Sequence, residues 1–228
     1  GRFQEIAIFH RLTKSIIVTD ALVAIDSQPP ELFDLDPTPL LFHSRDKGSE
    51  LLTDSLETRR KGWLRLVLFA SFLKPYLLSI PPFGEVLRNS FKPGLRNLRA
   101  HFGFYPFKWE KGWEKSARSL IGDNKPLIQV APVIKRLVFP RAKNEFLRWL
   151  DKLAKLKGME RLISAHFSCP VTFTKRECIS LRQSINFSDW SENNDDFSFL
   201  SSLDNKLLKA GVVPKDPLGN FKDLDHPD

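Results

Sequence analysis

The sequence predicts a mixed α/β (α+β) domain, and three observations carry that prediction. The chain opens on two apolar, β-branched runs at 5–9 and 15–19, with His10-Arg-Leu-Thr-Lys14 turning between them. Further on, apolar residues at helical spacing are stopped by Gly158 and followed at once by the short strand pattern Arg161-Leu-Ile-Ser164. Composition supplies the third observation. A chain of 228 residues, 42% hydrophobic and 27% charged, holds one good-sized core and belongs with globular rather than disordered sequences.

The second strand runs directly into Asp20. A carboxylate at the end of a buried strand sits on a rigid element, where a metal or substrate can reach it. A further apolar run fills 21–25, and residues 26–58 read as a loop, because Pro29-Pro30, Pro37 and Pro39 interrupt regular structure in its first part. Arg59-Arg-Lys-Gly-Trp63 then leads into an apolar segment at 64–78, broken by Arg65 and Lys74 and ended or kinked by Pro75. It lacks the ~20 apolar residues of a bilayer span, so it reads as a buried helix. An interfacial helix with a basic flank is the alternative.

Residues 80–113 are loop-rich and aromatic. Phe102-Gly-Phe-Tyr-Pro-Phe-Lys-Trp109, interleaved with Arg96, Arg99 and Lys108, has the composition of a base-stacking surface. Gly103 and Pro106 argue against a flat strand there, and packing into the core is the commoner fate of such residues. Residues 110–121 read as a helix closed by Gly122. An apolar stretch at 127–139 is interrupted by Pro132 and Lys135-Arg136. Next comes an amphipathic helix with Phe146, Leu147, Leu150, Leu153 and Ala154 on one face. The strand after it delivers His166 to its end, and functional groups in α/β folds collect at such carboxyl ends. The predicted domain spans 1–185. Residues 186–228 form an acidic, polar extension containing one helix near 197–210 and a flexible tail.

The net charge of +8 is uneven. Nine Asp and Glu against four Lys and Arg from Asp189 onward leave a body of +13, a balance compatible with RNA or an anionic membrane. Cys169 and Cys178 form no CxxC pair and no disulfide framework. His166 and Cys169, three apart, are a weak metal signal followed directly by Pro170. His43 and Asp46 form a second polar cluster, read as loop hydrogen-bonders.

Asp20 and His166 are therefore the pair expected to converge. A strand-end Asp and a later strand-end His preceded by a helix resemble the back half of the metallo-β-lactamase fold. A closer resemblance rests on motifs in one order: Phe9-His-Arg-Leu-Thr-Lys-Ser-Ile-Ile-Val-Thr-Asp-Ala-Leu-Val-Ala24, Pro29-Pro30, Pro39-Leu-Leu-Phe42, Arg59-Arg-Lys-Gly-Trp63, Tyr105-Pro-Phe-Lys-Trp109, Val130-Ala-Pro-Val133 and Ala165-His-Phe167. Together they resemble the plant and cyanobacterial family called domain of unknown function 4336, a divergent relative of that fold.

The resemblance implies the C-terminal half of an αββα sandwich. Asp20 would bridge two metals and His166 would be the last ligand, with zinc or iron as the metal in the full-length protein and none in this fragment. It also implies a chloroplast location. The His-x-His-x-Asp-His cluster of working members is missing here, since no two of the five histidines are closer than thirty-three residues. That cluster would lie upstream of Gly1. Phe167 stands where a Gly follows the last His, and it would crowd the metal pocket. His10 matches no ligand position.

Three functions compete: a metal-dependent hydrolase acting on an ester, amide or phosphoester; a non-catalytic pseudoenzyme or binding module; and a basic surface for RNA or an anionic membrane. In the plainest alternative Asp20 caps a turn and His166 bonds backbone. The opening strands should also leave apolar surface exposed, unless the missing half or another chain covers it.

Overall fold

The computed structural model describes residues 4–122, 125–185 and 195–214. Its elements alternate as a mixed α/β chain. They are β1 (Ile8–His10), β2 (Ser15–Ile17), β3 (Leu22–Ile25), α1 (Leu32–Leu35), α2 (Thr38–Ser44), α3 (Leu56–Phe72), β4 (Leu78–Ser79), α4 (Phe83–Ser90) and β5 (Lys108–Trp109). There follow α5 (Trp113–Arg118), β6 (Leu127–Val130), α6 (Pro132–Leu137), α7 (Lys143–Leu153), β7 (Arg161–Ile163), β8 (Val171–Thr172), α8 (Lys175–Ser184) and α9 (Ser198–Lys209). Two compact units result. Of the described residues, one comprises 4–23, 129–185 and 200–214; the other comprises 24–122, 125–128 and 195–199. The chain passes from one to the other within β3 and near the middle of β6.

The first unit is built on a four-stranded sheet in the order β1-β2-β7-β8. β1 and β2 are antiparallel, β2 and β7 parallel, and β7 and β8 antiparallel. Side chains alternate between faces, so register decides what each face carries. Phe9, Ile16, Leu162 and Val171 stand in one row, with Ile16 and Leu162 fully buried. The opposite face carries the row Ile8, Ile17 and Ile163, in which Ile8 is 57% and Ile17 36% exposed. The apolar surface expected on the opening strands is therefore present.

The long amphipathic helix forms as α7 and buries Phe146, Leu150 and Leu153. Phe139 stacks on Phe146 at 3.9 Å. A capping box at Thr174 and Glu177 starts α8, each side chain satisfying the other residue's backbone N–H. The buried Cys178 thiol points at the Leu150 carbonyl oxygen, 3.5 Å away, tying α8 to α7. Helix α9 is pinned by the buried Asp204, whose carboxylate meets Arg141 at 2.7 Å and Arg136 at 3.6 Å.

The second unit corrects three expectations. Residues 26–58 are not one loop, because α1 and α2 lie within them. Pro37 precedes α2 and Pro39 occupies its first turn, where a missing N–H leaves no helical bond unmade. The apolar helix starts well before residue 64, because Ser55 caps it by accepting from the Thr58 N–H at 3.1 Å. Helix α3 is not interfacial either. Trp63, Val67, Leu68 and Phe72 are buried, and the Trp63 indole donates to the Asp26 carbonyl at 2.9 Å. No described helix is long and apolar enough to cross a membrane.

Gly62 lets α3 approach α2 closely, since a Cβ there would collide with the Leu40 carbonyl. In the aromatic segment Tyr105, Trp109 and Trp113 are buried, while Gly103 turns at φ +77 with a virtual Cβ 2.5 Å from the Asn89 carbonyl oxygen. No flat stacking platform forms there. Asp196 is buried and accepts from the Tyr76 N–H at 3.0 Å. All of the predicted flexible tail at 213–228 beyond Pro214, and most of the acidic patch at 188–196, lie outside the described residues.

Candidate functional site

Two adjacent parallel strands set up the site. The ladder between β2 and β7 continues beyond both strands, through the Val18 N–H on the Ile163 carbonyl at 2.9 Å and the Ala165 N–H on the Thr19 carbonyl at 3.3 Å. That continuation carries Asp20 and His166 out side by side at the carboxyl end of the sheet. His166 Nε2 lies 3.0 Å from Asp20 Oδ1, with the two side chains 62% and 47% exposed. The two side chains therefore come within contact distance of each other.

A second carboxylate supports the pair and was not legible as a site residue. Glu5 accepts from the Thr19 N–H at 2.8 Å, the Thr19 hydroxyl at 2.9 Å and the Asp20 N–H at 3.3 Å. Extending the register of Ile8 opposite Ile17 by three residues each way sets Glu5 across from Asp20, so the hairpin itself held the signal. On the other strand, the buried Ser164 donates to the His166 carbonyl at 2.9 Å. Phe167 follows at φ +67, a left-handed conformation that a bulky residue rarely adopts. Its side chain is half-buried.

The remaining candidates lie elsewhere. Cys169 is a free, exposed thiol. His10 sits at the turn end of the hairpin, its Nδ1 2.7 Å from the Thr13 hydroxyl. His43 is on helix α2 rather than in a loop, packed against Phe42, Phe69 and Phe107. Burial, reinforced by the Arg65 charge, pushes the His43 imidazole down to about 4. Burial and the Arg45 charge also lower His101. Asp46 does act as a hydrogen-bonder. Burial pulls its carboxyl upward, but hydrogen bonds from Arg65 and Lys61 outweigh that and hold it below the ordinary value.

The basic motif is also committed to the fold. Arg59 pairs with Asp54 at 2.7 Å and Asp34 at 2.9 Å, and Lys61 pairs with Asp46 at 3.0 Å.

A nitrogen–oxygen separation of 3.0 Å is close to the ~3.3 Å between neighbouring ligands in a tetrahedral zinc shell. The pair therefore suits two adjacent positions around one ion. A catalytic zinc needs three protein ligands and an open place for water. Among the described residues no group of three or more His, Cys, Asp and Glu gathers to hold one. The donor set fits part of such a centre and does not complete it.

The family described as domain of unknown function (DUF4336) matches residues 1–187, and the chain belongs to that family. No curated protein and no solved structure matches it.

Proposed function

We propose that this family member carries part of a metal-dependent hydrolase centre of metallo-β-lactamase type, with Asp20 as bridging and His166 as terminal ligand. The supporting observation is the 3.0 Å approach of two exposed donors at the carboxyl ends of adjacent parallel strands. Zinc or iron held there would supply a water acidified toward neutrality as the nucleophile for an ester, amide or phosphoester. The chain's own residues do the positioning. Glu5 ties down the Thr19-Asp20 backbone, so the Asp20 carboxylate keeps its aim. Ser164 shapes the turn that presents the His166 imidazole. The remaining ligands are supplied from outside the described residues.

An αββα sandwich belongs to the same proposal, because the open row of Ile8, Ile17 and Ile163 is what a further layer would cover. So does a chloroplast location.

Zinc titration by calorimetry, with metal analysis of the full-length protein, tests the reading. Zinc binding by the full-length protein is expected to disappear in Asp20→Ala and in His166→Ala. A full-length protein free of zinc and iron overturns it.

A second reading, a non-catalytic binding module of the same fold, is favoured by Phe167. A half-buried phenylalanine in a strained left-handed turn directly follows His166, where the working members carry a glycine. It expects both alanine variants to keep the protein's biological function. The RNA or membrane reading loses support from the motif at 59–63, whose Arg59 and Lys61 are paired.

A further inference from the structure

A groove of about 1060 Å³ opens in the first unit between the loop joining α7 to β7 and the first turns of α8. It lies at the amino end of β7, whereas Asp20 and His166 stand at the carboxyl end of the sheet. Its volume is at the top of the range for small-ligand clefts, which leaves room for a short stretch of polypeptide.

The walls are cationic. Lys155 and Lys157 line one side, Lys175 and Arg176 the other, and all four are exposed. None of them joins an ion pair among the described residues, whereas the nearby Lys14 is held by Glu160 and Arg182 by Asp151. No carboxylate lines the groove. Four like charges around one concavity repel one another, and an anion between them removes that repulsion.

The floor is aliphatic, from Leu156, Met159 and Ile179. Met159 is 4% exposed and Ile179 37%, so apolar surface lies within reach of an occupant. A thioether side chain adapts to varied apolar partners.

We infer that this groove binds an acidic peptide segment whose aliphatic side chains enter the floor while its carboxylates meet the four cations. Nucleic acid fits less well, because no aromatic residue lines the groove to stack on a base. A planar bilayer would touch only its rim.

Fluorescence anisotropy of the full chain with a fluorescein-labelled twelve-residue peptide of alternating Glu, Leu and Asp tests the inference. Binding is expected to weaken with added salt. It should loosen about tenfold or more in the Lys155→Glu, Lys175→Glu double variant, each exposed charge contributing a modest share. Ile179→Asp should weaken it too, through the floor. Lys115→Glu, an exposed change in the other unit, should leave it unaltered, as should Asp20→Ala, which keeps this test separate from the hydrolase reading. Absence of peptide binding overturns the inference, as does binding indifferent to the groove variants. Tighter binding of labelled oligothymidylate or phosphatidylserine vesicles through the same lysines also overturns it, since the occupant would then be a nucleic acid or a lipid surface.

Discussion

Two nitrogen–carboxylate pairs in this molecule have carboxylates of similar exposure and nitrogen partners in opposite surroundings. Arg65 on α3 is 1% exposed. It donates to the Ser44 and Arg45 carbonyls at 3.0 and 2.8 Å and to the Asp46 carboxylate. Its guanidinium also lies 5.0 Å from the Trp109 ring and 4.6 Å from that of Trp113. His166 and Asp20 share a single contact and face solvent. In the first pair the guanidinium is enclosed and its two terminal nitrogens are bonded, while its Nε has no partner among the described residues and the Asp46 side chain is 51% exposed; it organises structure. The second keeps donor atoms open to solvent. Desolvation, more than charge, separates the scaffold from the candidate site.

That contrast can be broken by measurement. Arg65→Ala should cost the most, about 2–4 kcal/mol in urea unfolding, because the Ser44 and Arg45 carbonyls lose their donor and a cavity opens beside Trp109 and Trp113. A cost below about 1 kcal/mol would mean that the second unit does not depend on the cation.

Acid comes next. His43 titrates at about 4 in the fold against an ordinary 6.5, so between those values the unfolded chain binds the extra proton. Stability is then complete above pH 6.5 and declines as pH falls toward 4, by about 3 kcal/mol in total. His43→Phe should flatten that slope in thermal melts. Asp46, held below its ordinary 3.8, adds a separate acid loss beneath that window.

Asp20→Ala and His166→Ala should each cost less than about 1 kcal/mol, as exposed pairs do, while abolishing zinc binding. A cost above about 2 kcal/mol with zinc binding intact would move this pair to the structural side.

The smallest effect is chemical. Cys169, in the open loop after His166, should alkylate in the native protein. Cys178 is buried, and burial raises its thiol to about 11. One adduct by mass spectrometry is expected, and two would contradict the burial of Cys178.

The Asp20–His166 pair was legible because apolar runs announce strands, and both residues end one. The exposed apolar face could be read too: Ser15-Ile-Ile-Val-Thr19 places β-branched residues at both alternations, a pattern suited to a strand covered on both faces. Glu5 was missed because its role depends on hairpin register, which a run of apolar residues does not specify. Helix α2 was missed because proline was read as a breaker without regard to its place in the first turn. Arg65 looked like an interruption of an apolar segment. Its partners come from a turn and from two tryptophans on a distant stretch, and periodicity along α3 says nothing about them.

Gly62 has a bearing on how this sequence can vary. Its side of α3 rests against the Leu40 backbone with no room for a single carbon. In a library randomised along α3, position 62 should return one letter, while the exposed Arg60 two residues earlier should return many. The position is specified by what must be left out, and a drift to alanine would push the two helices apart along their whole crossing.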